Sequence, residues 1–353
     1  MPTTPEAVLD ALRQVQDPDL HRDIVTLGFV KDIEIDGPRV SFKVQLTTPA
    51  CPVKDILQQQ AHDVVAALPE VEEVEVEMTA QVRQRPEQGE LIPNVKQCIA
   101  IASGKGGVGK STVSVNIAVA LAQTGAKVGL LDADVYGPSI PLMLGIDGAH
   151  PLVNAEKKIV PVEKHGIKIM SLGLLMDKDQ VAMWRGPMVA GTVRQLLADV
   201  DWGDLDYLIV DLPPGTGDAP MSLAQLVPLS GVVIVSTPQA VAAQIAGKCA
   251  GLFRRLNTHI LGVVENMAEY VCPGCGSEVR LFAGTTGEAL AADLHTAYLG
   301  SVPLDPHVSQ SCETGMPSLT AFPDRPQAKR FHEISSNLAA QISIHGADLA
   351  VMK

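Results

Sequence analysis

Apolar and polar positions alternate along two short runs, Phe29–Ile35 and Val40–Leu46, which meet at Asp36-Gly37-Pro38. A period of two is that of a strand with one buried face, and a turn-forming triplet between two such runs predicts a hairpin. Helical spacing flanks the pair, from Pro5 to Val15 before it and from Val53 to Leu68 after it, and a short strand, Val71–Val76, closes the group. Residues 1–80 are therefore predicted to form a small α+β domain. From Gln81 to Pro93 periodicity is lost, and Pro86, Gly89 and Pro93 mark a linker, taken as residues 81–94.

From Val95 the rhythm changes to continuous apolar runs separated by helical stretches. Strands are predicted at Cys98–Ala102, Val128–Leu131, Leu208–Val210, Val232–Ser236, Leu261–Glu265 and Tyr298–Val302. Helices are predicted at Lys110–Gln123, Ala219–Leu226, Ala240–Leu256 and Glu288–Leu294. Strands that are apolar on both faces and alternate with helices belong to a buried, mostly parallel sheet. The expected fold class is α/β: residues 95–353 form a doubly wound domain behind the small α+β domain. Ligands of such sheets sit beyond the carboxyl ends of the strands.

Composition agrees and excludes some partners. The chain of 353 residues is 46% apolar but only 3% aromatic, so its cores must be built from Val, Ile, Leu and Ala. Net charge is −13, with 40 acidic residues against 27 basic ones, the reverse of a nucleic-acid-coating surface. No apolar run approaches the roughly 18 residues of a membrane span, and Met1–Pro5 lacks the start of a secretory signal. Six cysteines are too sparse for a disulfide scaffold, so a reducing cytoplasmic setting is expected, with neither nucleic acid nor membrane as partner.

The sharpest chemical signal is Gly104-Lys105-Gly106-Gly107-Val108-Gly109-Lys110-Ser111-Thr112, which satisfies G-x-x-x-x-G-K-[ST] between a predicted strand and a predicted helix. Glycines let consecutive amides turn toward phosphate, and the helix starting at Lys110 adds its positive end. Lys110 is expected on the β- and γ-phosphates of ATP and Ser111 on Mg²⁺. The strand ending Tyr207-Leu208-Ile209-Val210-Asp211 reads as the second acidic element, with Asp211 holding Mg²⁺ through water. Leu131-Asp132-Ala133-Asp134 ends another strand in acid; a helix cap explains any one aspartate, but not three in order after a phosphate loop.

Cys272-Pro273-Gly274-Cys275-Gly276 is the chain's one C-x-x-C, a spacing that turns two thiolates to one metal. Four ligands are the usual requirement, and a symmetric dimer contributing Cys272 and Cys275 twice meets it. A shared zinc ion and a bridging [4Fe–4S] cluster both fit that ligand set. A redox dithiol would instead be expected at a strand-to-helix junction. Cys51, Cys98, Cys249 and Cys312 stand alone.

With these motifs in hand, the chain resembles known families. Lys105, just after the first glycine, resembles the second lysine of the deviant Walker A ATPases, the group of MinD, ParA and the nitrogenase iron protein. The phosphate loop, Leu131–Ser139, Asp206–Asp218, Met183-Trp184-Arg185-Gly186-Pro187 and Cys272/Cys275 together resemble the Mrp/ApbC iron–sulfur cluster carriers over residues 95–345. Asp17-Pro18-Asp19-Leu20, Asp23–Gly28 and Thr47–Pro52 resemble a small domain of the eukaryotic cytosolic iron–sulfur assembly factors. The resemblance implies an ATP-hydrolysing homodimer in which Lys105 touches the partner's phosphates, Asp134 orients water, Asp132 lies near the metal and Asn266 reads adenine. A polar turn residue is an equal reading of Asn266, and a solvated loop lysine the plainer one of Lys105. It further implies a cluster passed to client apoproteins, with other cluster-assembly factors as partners. Two other classes stay open: a partitioning or positioning ATPase of the MinD/ParA type, and a zinc-stapled nucleotide-binding scaffold.

Overall fold

In the computed structural model of the chain, residues 3–84, 91–176, 186–272, 274–275 and 277–351 are described. The chain divides into two compact units, Met1–Arg83 with Ile342–Lys353, and Gln84–Gln341.

In the first unit, α1 (Pro5–Leu12) starts with proline in its first turn and is capped by Thr4, whose side chain accepts the Ala7 amide. A short antiparallel pair, β1 (Gln16–Asp17) and β2 (Arg22–Asp23), follows. Then come β3 (Val30–Asp36), β4 (Arg39–Leu46), α2 (Lys54–Ala66) and β5 (Glu73–Ala80). The sheet order is β3-β4-β5, with β3–β4 antiparallel and β4–β5 parallel. Val40, Phe42, Val44 and Leu46 point from the central strand into a core shared with Val8, Leu12, Leu57, Ala61 and Val65. This is the alternation read from the sequence.

The second unit contains β6 (Val95–Ala102), α3 (Lys110–Gln123), β7 (Val128–Asp132), α4 (Ile140–Met143), β8 (Val162–Lys164), β9 (Ile167–Ser171) and α5 (Gly186–Asp199). It continues with β10 (Leu205–Asp211), α6 (Asp218–Leu226), β11 (Gly231–Ser236), α7 (Ala240–Arg255), β12 (Ile260–Asn266), β13 (Tyr270–Val271) and β14 (Glu278–Val279). The last elements are α8 (Gly287–Asp293), β15 (Tyr298–Val302), α9 (Pro306–Thr314), α10 (Ser318–Ala321) and α11 (Pro326–Val351). Eight strands form one sheet in the order β15-β12-β11-β6-β10-β7-β9-β8, parallel throughout except for the edge pair β8–β9. Strand β6 is central and β10 lies between it and β7, so chain order and spatial order part company where the phosphate loop leaves the sheet. Among the described residues no helix is long and apolar enough to cross a membrane.

The fold departs from the sequence reading in several elements, of which two are instructive. The β8–β9 hairpin was not predicted, because its turn is His165-Gly166, with φ of 53° and 77°. Two left-handed residues make the tight hairpin turn usually signalled by Asn-Gly, and histidine conceals it. The domain boundary also needs correction: Ile342–Lys353, assigned by pattern to the second domain, clusters with the first unit. There Thr47 Oγ1 donates to Ser343 Oγ at 2.9 Å. Helical periodicity reports that a face is apolar, not which neighbour it meets.

Candidate functional site

The carboxyl ends of β6, β7, β10 and β12 deliver the predicted site residues to one edge of the sheet. Parallel registers set Asp211 opposite both Ile101 and Asp132, and Asp132 opposite Ser171, so these groups stand in one row at the strand ends. After β6 the loop wraps through Gly107 and Gly109, both left-handed at φ 77° and 79°, and α3 begins at Lys110. A side chain at Gly104 would put its Cβ 2.6 Å from the Ile245 carbonyl carbon, so only glycine lets α7 lie against the loop. At Gly109 a Cβ would fall 2.1 Å from Nδ2 of Asn266. That amide donates to the Val108 carbonyl at 2.8 Å, so Asn266 braces the loop from β12.

Beneath the loop lies a dense polar knot. Asp211 is fully buried and accepts from Lys110 Nζ at 2.7 Å, Ser111 Oγ at 2.6 Å and Ser114 Oγ at 2.5 Å. A buried carboxylate persists only with such partners. Asp132 is buried as well, accepting from the Asp134 amide and from the Ser171 hydroxyl. Burial, reinforced by the charge of Asp211, pushes its pKa up to about 7, against the opposing pull of Lys110. Its acceptor contacts run to the loop and to β9, away from the Ser111–Asp211 pair expected to hold metal.

Asp134 borders the phosphate cleft, a space of about 190 Å³ whose walls include Lys105, Gly107, Lys110, Thr112 and Pro214. Burial raises its pKa, with Lys110 pulling it down and Asp211 pushing it up. The carboxylate accepts backbone hydrogen bonds from Tyr136 and Gly137, which also hold its pKa down, and its Oδ1 is buried without a hydrogen-bond partner.

Lys105 does not hang free: its Nζ donates to Oε1 of Gln239 at 2.8 Å, at the N-cap of α7. Cys272 follows β13, and its amide donates to the Ser277 carbonyl at 3.0 Å, so the thiols ride on the turn of the β13–β14 hairpin. Cys275 is exposed and shares a hydrogen bond with Ser277 Oγ at 3.0 Å. The hydroxyl and amide of Ser277, with Cys272, lower its pKa below that of an ordinary thiol. Among the described residues no three His, Cys, Asp or Glu side chains gather as a metal site. Met183, Trp184 and Arg185 of the family-like segment lie outside the described residues, as do Pro273 and Gly276.

Sequence reasoning did not single out Ser114, Ser171 and Gln239. Ser114 lay within reach, four residues after Lys110 on the same face of α3. The other two reach the site from distant strands and helices.

Two family models match the chain: the NUBPL iron-transfer P-loop NTPase over residues 94–339, and an iron–sulfur cluster assembly protein over residues 5–78. The iron–sulfur cluster carrier protein of a Synechocystis strain is 46% identical over 348 residues, 97% of this chain and 98% of its own length. That of Deinococcus radiodurans is 43% identical, covering 96% of each. Among solved structures, a nucleotide-binding protein from Archaeoglobus fulgidus in complex with ADP is 39% identical. It aligns with a TM-score of 0.59 over 66% of this chain and 91% of its own. The cell division ATPase MinD of Pyrococcus furiosus shares the fold at 22% identity and a TM-score of 0.52, over 69% of this chain and 98% of its own.

Proposed function

The chain belongs to the NUBPL iron-transfer P-loop NTPase family, with an iron–sulfur cluster assembly domain in front of the nucleotide-binding unit, and from that premise we propose that it works as a homodimeric, ATP-hydrolysing cluster carrier. Its cargo is a [4Fe–4S] cluster, held by Cys272 and Cys275 of two copies and handed to client apoproteins, with other assembly factors as further partners. The carrying observation is the β13–β14 turn, which offers two thiols and no third ligand of the same chain among the described residues. A cluster bound by two thiolates per subunit is half-dressed by either subunit alone, which suits release as well as capture. A cytoplasmic setting belongs to the same proposal; all six cysteines are free thiols, as reducing conditions keep them.

The nucleotide site fits ATP with Mg²⁺. The amides around Gly107 and Gly109 face the phosphates, and Lys110 exchanges Asp211 for the β- and γ-phosphates when they arrive. Ser111, and Asp211 through water, would hold Mg²⁺; their oxygens already lie 2.6 Å apart. Bound there, Mg²⁺ neutralises charge building up between the β- and γ-phosphates. Asp134, in the wall of the cleft, orients the attacking water, and Lys105 crosses to the phosphates of the second copy once it leaves Gln239. Asn266 reads adenine only with groups other than the Nδ2 spent on Val108.

Anaerobic reconstitution with iron and sulfide tests the cargo. About four irons per dimer, visible absorption, and loss of both in Cys272→Ala/Cys275→Ala with nucleotide binding intact are expected. A colourless dimer holding one zinc ion would leave a stapled nucleotide-binding scaffold. Sedimentation with DNA or anionic vesicles would point to a positioning ATPase.

A further inference from the structure

The loop that carries Asp134 is held at both ends by one carboxylate. Oδ1 of Asp132 accepts the Asp134 amide at 3.1 Å, and Oδ2 accepts the Ile140 amide at 3.4 Å. The same Oδ2 accepts the hydroxyl of Ser171 at 3.0 Å. Ser171 is fully buried at the end of β9, in register with Asp132 across the sheet. Its Oγ also accepts the Gly173 amide at 3.1 Å, which shapes the turn after the strand. That turn meets the loop a second time: a Cβ at Gly173 would lie 3.1 Å from Cβ and Cγ of Pro138. A buried hydroxyl is costly to desolvate unless it is bonded, and alanine would satisfy the strand equally well. The serine is spent on the clasp.

We propose that Ser171 is a positioning residue for hydrolysis: by anchoring Asp132 to β9 it fixes the loop of residues 134–140, and thereby holds the Asp134 carboxylate on the phosphate cleft. This rests on the reading of the chain as an ATPase whose Asp134 orients water. The clasp is separate from the phosphate-binding parts. Lys110, Ser111 and the loop glycines are organised by Asp211 and Asn266, whereas the hydrogen bonds of the Ser171 hydroxyl go to Asp132 and Gly173. Losing the hydroxyl therefore loosens Asp134 and leaves nucleotide binding in place.

The test compares the full-length protein with Ser171→Ala, Ser171→Thr and Gly173→Ala, which crowds Pro138 from the other contact. Steady-state ATP hydrolysis is read together with hydrogen exchange of peptides spanning 133–140 and 104–115. For Ser171→Ala, kcat should fall about 10- to 100-fold, as for other sub-ångström to ångström misplacements, while KM for ATP changes less than about three-fold. Exchange should quicken over 133–140 and stay unchanged over 104–115, and Ser171→Thr, which keeps the hydroxyl, should recover most of kcat. Wild-type kcat in a folded Ser171→Ala protein would overturn the proposal. So would a loss of kcat matched by a rise in KM and by faster exchange through 104–115, the mark of a merely structural serine. If Ser171→Ala does not fold, Gly173→Ala must show the same split or the proposal falls. A wild-type protein that hydrolyses no ATP would sink the ATPase reading instead, and the exchange data would still decide whether Ser171 holds the loop.

Discussion

Nζ of Lys105 lies 2.8 Å from Oε1 of Gln239, so the lysine proposed to act on a second copy is bonded within its own chain. A hydrogen bond to a charged group contributes about 1.5–3 kcal/mol, and that contact must break before Lys105 reaches across. Replacing Gln239 by Ala removes the competitor. ATP-dependent dimerisation should tighten by roughly ten-fold, the equivalent of about 1.4 kcal/mol. Lys105→Ala should abolish it while ADP affinity stays within about three-fold. Analytical ultracentrifugation with ATP and with ADP reads both, and equal dimerisation of wild type and Lys105→Ala would remove the lysine from the interface.

The Asp211 knot makes stability depend on a site built for ligand. Lys110 is 6% exposed and Asp211 is fully buried, and removing one partner of such a pair strands the other charge. Asp211→Ala should therefore cost about 3–5 kcal/mol in nucleotide-free protein, measured by urea denaturation. ADP should restore part of the loss, because phosphate gives Lys110 a new counter-charge. A variant as stable as wild type without nucleotide would mean that Lys110 is free to turn to solvent.

Asp132 gives the fold a pH dependence of known sign. Its pKa rises from 3.8 to about 7 on folding, chiefly through burial and then through Asp211. Below about pH 4 both states hold the proton; above it the unfolded chain releases its proton first, and stability falls as pH rises. This group's share of the fall is at most about 1.4 kcal/mol per pH unit and is complete above about pH 7. Asp132→Asn imitates the protonated form, so its unfolding free energy should be flatter between about pH 4 and pH 7. Parallel curves for the two proteins would show that Asp132 ionises freely in the native state.

How much of this was legible in the sequence depended on whether a contact is local. The phosphate loop, the helix at Lys110 and the strand-ending aspartates were readable because glycine spacing, helix start and apolar run are neighbours in the chain. Asp211 at the end of β10 could be named as an acid, but its three donors come from α3, about 100 residues earlier. Why position 104 must be glycine was hidden too, since the obstacle is the backbone of Ile245. Asn266 was flagged by resemblance as a base reader, whereas its visible partner is the Val108 carbonyl. Sequence pattern names the chemistry each strand end carries, and the order of strands in the sheet decides which of those groups meet.

The thiols should separate by reactivity in a way that follows their surroundings. Burial pushes Cys51 up to about 11 and Cys249 up to about 12, and Cys98 is raised further by complete burial. Cys275 is exposed, and Ser277 stabilises its thiolate, so the reactive form persists to lower pH than in an ordinary thiol. With iodoacetamide at neutral pH, mass mapping should find Cys275 modified before Cys51, and Cys98 and Cys249 untouched until denaturant is added. Ser277→Ala should slow Cys275 several-fold by removing the side-chain hydrogen bond while the backbone contact remains. After reconstitution with iron and sulfide, both Cys272 and Cys275 should be protected, because donation to iron draws charge off the thiolate sulfur and makes it a poorer nucleophile. Cys275 alkylated at its original rate in iron-loaded protein would mean that the cargo sits elsewhere, and the β13–β14 turn would lose its assignment.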